Sequence, residues 1–89
     1  MTMHSSHPDI IKRLKRADGH LQAIVGMLEQ GRGCLDIVQQ LQAVESAINK
    51  AKKTLAHDHI DHCLEHAMRE GSQDADDAIR EFKEITKYL

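Results

Sequence analysis

Aromatic residues are almost missing from this chain of 89 residues, which has one Phe, one Tyr and no Trp. A core must then be built from Leu, Ile, Val and Ala, a composition that suits helix packed on helix. No apolar run approaches the roughly 20 residues of a membrane span. The opening "MTMHSSHPD" lacks the charged start and apolar stretch of a secretory leader, so a cytoplasmic location with reduced cysteines is expected. With only two cysteines there are no C-x-x-C pairs of the kind that mark a zinc ribbon. No glycine-rich loop accompanies any candidate nucleophile, and nothing suggests an oxyanion hole. An enzyme built on a Cys–His pair is therefore not expected. Chains this short bury a modest share of their surface and usually need a metal, a disulfide or a partner chain to be stable.

The charge is unevenly placed. Net charge is −2, but residues 1–53 carry eight Lys/Arg against five Asp/Glu, whereas residues 54–89 carry four against nine. A basic half is thus followed by an acidic half.

The apolar residues fall into three helical stripes. Pro8, the single proline, suits a first helical turn with Ser6 or His7 at the cap. Ile10, Leu14, Ala17, Leu21, Ile24 and Leu28 then recur in steps of four and three, a helix with one apolar face. The "GRG" at Gly31 to Gly33 ends it, because glycine readily takes the left-handed cap conformation. Ile37, Leu41, Val44, Ile48, Ala51 and Leu55 repeat the same steps, and no breaker follows until Gly71. Such a helix runs for about 35 residues, roughly 50 Å at 1.5 Å per residue. After "GSQD", with Ser72 or Asp74 as cap, Ala75, Ala78, Ile79, Phe82, Ile85 and Leu89 line a third helix. The expectation is an all-α fold, one domain over residues 1–89, with helices at about 8–30, 34–70 and 74–88. One hairpin cannot cover all these faces, so the chain is expected to pair with a second copy as an antiparallel four-helix bundle.

The stretch "HDHIDHCLEH", His57 to His66, packs four histidines and a cysteine into ten residues. Continuing the second stripe past Leu55 lands on His59, His62 and His66, so the apolar seam turns polar. His59 and Cys63 are four apart and share a helix face, within reach of one ion. His62 and His66 form a second such pair. Cys34, the other thiol, lies 25 residues before His59, about 37 Å away on a straight helix. One chain cannot join them. In an antiparallel dimer the start of one long helix lies beside the end of the other, and Cys34 would meet His59 and Cys63 of the partner. A solvated histidine surface with a small buried cysteine is the competing reading.

Cys34, the segment "QQLQAV" (Gln39 to Val44), "HDHIDHC" (His57 to Cys63) and "KRLKRADGHL" (Lys12 to Leu21) together resemble the CsoR/RcnR repressors. The spacing of Cys, His after 25 residues and Cys after four more is specific to that family. The resemblance implies an all-helical bacterial regulator that assembles as a dimer of antiparallel dimers, a homotetramer. It implies a metal site of Cys34 from one subunit with His59 and Cys63 from another, and release of operator DNA when metal binds. It implies DNA contacts from Arg13, Lys50 and Lys53, with Lys12, Lys15, Arg16 and Lys52 close by, held largely through phosphates. After allowing for two extra residues near "EGSQDAD", it places Glu81 beside the metal-binding histidine, where a carboxylate would fix the tautomer of His59.

Two thiolates and an imidazole form a soft set that suits Cu(I). Ni(II) or Co(II) would take a further nitrogen ligand, which relatives supply from a histidine about 32 residues before the cysteine. That position is Thr2 here, but His4 and His7 are close by. The histidine-rich flank, the N-terminal pair and "KRADGH" look most like the nickel/cobalt resistance regulators, with Cu(I) the alternative. Formaldehyde- and persulfide-responsive relatives lack one or other of the ligands at Cys63 and His59. A metal storage or carrier bundle would use the same ligands yet has no need of the basic cluster.

Overall fold

Gly31 stops the first helix. Its φ is +72°, a region open to glycine and costly for residues with a Cβ. The Gly31 amide donates to the Leu28 carbonyl at 3.1 Å and the Arg32 amide to the Met27 carbonyl at 3.0 Å. Two otherwise orphaned carbonyls are thereby satisfied by one tight reversal. The computed structural model describes residues 6–70 and 72–89. Within its helices the side chains of residues 63, 64, 66–70, 72–75 and 78 lie outside the described set. It contains α1 (His7–Glu29), α2 (Cys34–Glu70) and α3 (Ser72–Thr86), and no strand occurs among the described residues. The third helix begins two residues before the expected 74, directly after Gly71. Its end is tighter than α-helical, with amides of residues 87–89 bonding three residues back.

The chain divides into two compact units. One is Pro8–Lys52; the other takes Lys53–Leu89 together with Ser6 and His7. In the first, Ile10, Ala17 and Ile24 of α1 are buried, as are Ile37, Val44 and Ala51 of α2. Both sets advance by seven residues, so each is a single line along its helix. Ile24, Ile37 and Val44 pack as one cluster with Met27 against them, and Ile24 is the most deeply buried side chain at 1% exposure.

The other half of each stripe is uncovered. Leu14, Leu21 and Leu28 of α1 and Leu41, Ile48 and Leu55 of α2 are 41–59% exposed. Each stripe is therefore two lines side by side, one buried inside the hairpin and one facing out. Ile11, Val25, Leu35 and Val38 widen this apolar surface. In the second unit Ala56 is buried and Ile60 half-buried, one turn apart on α2, with Phe82 and Ile85 of α3 half-buried and Ile79 exposed.

Gly31→Ala is expected to lower stability by about 1 kcal/mol, because alanine cannot hold the left-handed cap without strain. Gly19→Ala, at a helical position with open space around it, should raise stability by roughly 0.5–1 kcal/mol. Ile24→Ala should cost about 2–5 kcal/mol through the cavity it leaves. Urea unfolding at fixed protein concentration ranks the three variants.

Candidate metal centre and nucleic-acid interface

His59 comes forward from α2 in the second unit, and its Nε2 atom is shielded from solvent. Glu81 reaches it from α3, with Oε1 2.8 Å from His59 Nε2. The two residues are 22 apart in sequence, one on α2 and the other on α3. The imidazole is mostly covered (28% exposed) whereas the carboxylate is half exposed (54%). A carboxylate can only accept, so this contact favours a ring form with a proton on Nε2.

The same unit holds Ser6 and His7. Ser6 Oγ donates to Asp58 Oδ2 at 2.7 Å, a partly buried bond across 52 residues of sequence. Asp58 adjoins His59, and Ser6 adjoins His7, which is half-buried as the first residue of α1. His57 is exposed and His62 half-buried.

Cys34 is the first residue of α2 and is exposed. Cys63 belongs to α2, but its side chain lies outside the described ones, as does that of His66, and His4 lies outside the described residues altogether. Among the described residues no group of three or more His, Cys, Asp or Glu stands close enough to hold a metal ion. Of the expected ligand set, the structure brings His59 to Glu81 and the N-terminal segment to Asp58.

All seven basic residues of the expected DNA surface, Lys12, Arg13, Lys15, Arg16, Lys50, Lys52 and Lys53, are exposed. Three of them share one feature. Arg13 and Arg16 of α1 and Lys50 of α2 line a cleft of about 410 Å³ together with His20. Its remaining walls are small: Ala17, Ala43, Ser46 and Ala47. The Arg13 Nε–H donates to Asp9 Oδ2 at 2.8 Å, an exposed i, i+4 pair that orients the guanidinium more than it stabilises the helix. His20 Nε2 lies 2.6 Å from Gln40 Oε1, a partly buried bond that ties α1 to α2. In the sequence His20 reads as surface, because it shares no ligand spacing with another histidine or cysteine. The only hint was its phase on α1, three residues beyond Ala17 and seven beyond Arg13.

Among the described residues no helix is long and apolar enough to cross a membrane.

The chain resembles known proteins along most of its length. It is 37% identical over 78 residues to the copper-sensing transcriptional repressor CsoR of Mycobacterium ulcerans, covering 88% of this chain and 65% of that protein's length. It is 39% identical over 82 residues to the copper-sensing transcriptional repressor CsoR of Bacillus subtilis, covering 88% of this chain and 79% of the other. Among solved structures, the nickel-responsive transcriptional regulator InrS superposes with a TM-score of 0.83 at 26% identity, covering 100% of this chain and 99% of that one. The family model of metal-sensitive transcriptional repressors matches residues 6–88. The chain belongs to that family, whose members are regulators of transcription and not enzymes.

Proposed function

We propose that this protein is a cytoplasmic, metal-responsive repressor that binds operator DNA in its metal-free form and releases it on binding Ni(II) or Co(II), controlling metal efflux or resistance. The observation that carries the metal reading is the His59–Glu81 contact. With the proton fixed on Nε2 by the carboxylate, Nδ1 keeps the lone pair and is the nitrogen offered to an ion. A carboxylate behind a histidine is the usual device for orienting a ligand ring and raising its basicity. Cys34 of a second subunit and Cys63 would supply two thiolates.

The Ser6–Asp58 bond supports a divalent effector. It ties Ser6 next to the histidine run, so the adjoining His7 would supply the extra nitrogen that Ni(II) or Co(II) takes, with His4 the other candidate offered by the sequence. The second reading is Cu(I), favoured by the soft Cys34–His59–Cys63 set alone and by the copper-sensing relatives.

Assembly is part of the proposal. The uncovered lines at Leu14, Leu21, Leu28, Leu41, Ile48 and Leu55 are the surface a second copy would bury, giving an antiparallel four-helix bundle and then a tetramer. We read residues 1–89 as one domain of the family. Operator DNA would be held by Arg13, Lys50 and Lys53, with Lys12, Lys15, Arg16 and Lys52 adding charge. Metal must bind the DNA-free form more tightly for release to follow.

Anaerobic titration of the reduced metal-free protein tests the effector. Ni(II) is expected to give thiolate charge-transfer absorbance saturating at one ion per chain, lost in Cys34→Ala and weakened in His7→Ala or His4→Ala. Tight Cu(I) binding that ignores both N-terminal histidines would replace this reading with the copper one. Glu81→Ala should weaken metal binding by roughly 10–100-fold. In the metal-free protein, ¹⁵N chemical shifts of the His59 ring should report the Nε2–H tautomer and lose that bias in Glu81→Ala. Leu21→Glu with Ile48→Glu is expected to give monomers in sedimentation, with loss of both metal and DNA binding. A double variant that still sediments as the parental assembly would disprove the proposed interface.

A further inference from the structure

Asp58 stands one position before His59 on α2, and successive helical residues point about 100° apart, so the two side chains leave the helix in different directions. Among the described residues Asp58 belongs to no group of three or more His, Cys, Asp or Glu close enough to hold a metal ion. Its carboxylate accepts instead from the Ser6 hydroxyl, at 2.7 Å and across 52 residues of sequence. A hydrogen bond to an ionised group is roughly twice as strong as a neutral one.

The bond is partly buried. Ser6, His7 and Asp58 are all half-buried, whereas exposure resumes at Pro8 and Asp9 on one side and at His57 on the other. Ser6 immediately precedes α1, and His7 is the first residue of that helix. Fixing the Ser6 side chain therefore fixes the backbone from which the His7 ring projects. A ligand held in this way reaches its site at a far higher effective concentration than one on a wandering segment.

From this contact we propose that Ser6 and Asp58 are positioning residues that set metal selectivity: their bond is a latch that presents His7 to the metal held by His59. The latch strengthens Ni(II) or Co(II), which take the extra nitrogen, and leaves Cu(I) unaffected, because the soft set of Cys34, His59 and Cys63 is complete without it. Neither Ser6 nor Asp58 touches the ion. The proposal rests on the divalent-metal reading above and adds to it two residues outside the ligand set, together with the choice of His7 over His4.

Competition titrations of the reduced full chain with Ni(II) and with Cu(I) test the latch. Ser6→Ala is expected to weaken Ni(II) binding about 10-fold, the effect of losing one hydrogen bond to a charged group, and to leave Cu(I) binding within about 2-fold. Retained Cu(I) binding also checks that the variant folds and assembles. Asp58→Ala should match it on Ni(II), and the two changes together should lose no more than either alone. Asp58→Asn keeps an acceptor and Ser6→Thr keeps a donor, so both should hold Ni(II) within about 3-fold of the parental affinity. In a His7→Ala background, Ser6→Ala should weaken Ni(II) no further. In the metal-free protein, heteronuclear NOE values of the Ser6 and His7 amides should fall in Asp58→Ala and stay parental in Asp58→Asn.

Equal losses of Ni(II) and Cu(I) binding in Ser6→Ala would reduce the bond to a structural contact and overturn the latch. So would parental Ni(II) affinity in Ser6→Ala and Asp58→Ala while His7→Ala weakens it. Asp58→Asn as damaging as Asp58→Ala would make the carboxylate a ligand, and an undiminished Ser6→Ala effect in the His7→Ala background would overturn the choice of His7. If Ni(II) binding ignores both His4→Ala and His7→Ala, the divalent reading itself fails, and the latch with it.

Discussion

The rest of the structure depends on one seam, the seven-residue line of Ile10, Ala17 and Ile24 against that of Ile37, Val44 and Ala51. Because this line is narrow, it consumes only one residue in each pair of apolar positions. Everything to one side of it remains apolar and uncovered; everything to the other side is free to be basic. A broader seam would bury Leu14, Leu21 and Ile48 within the chain and remove the uncovered surface proposed to take a second copy. A seam rotated the other way would bring Arg13 and Lys50 into the interior, where unpaired charge is prohibitively costly. The division of labour between the flanks is thus a consequence of where the small and branched residues fall.

The sequence reading recovered the elements because their signals are local. Gly31 announces a left-handed cap, and Gly71 interrupts an otherwise continuous run before Ser72 opens the third helix. Steps of four and three identify helices without ambiguity. They do not say which member of each pair turns inward, since Ile24 and Leu28 are equally apolar and only the packing of α1 against α2 distinguishes them. That is why the stripe was legible while its split into a covered and an uncovered line was not.

The site was legible in its residue types and less so in its contacts. His59 and Glu81 were paired by likeness to the family, and the distance between them is short enough for a hydrogen bond. The Ser6–Asp58 bond, spanning 52 residues between two common polar side chains, has no signature in the sequence. His20 was passed over because it shares no ligand spacing with another histidine or cysteine, and its partner Gln40 sits in a segment noticed for other reasons. The basic cluster was visible as a list of charges, but not as a hollow, because the hollow is made by alanines.

The turn between α1 and α2 has a consequence of its own. Only residues 30–33 separate the helices, and the reversal is pinned by paired carbonyls and a single left-handed glycine. Such a turn behaves as a ruler more than a tether. Most surface loops absorb an added residue at little cost, since closure entropy grows slowly with length. Here an insertion would slide one helix along the other, taking Ile37 off Ile24 and Lys50 away from Arg13 in the same movement. Packing and charge placement are therefore set by a single length, and neither can drift without the other.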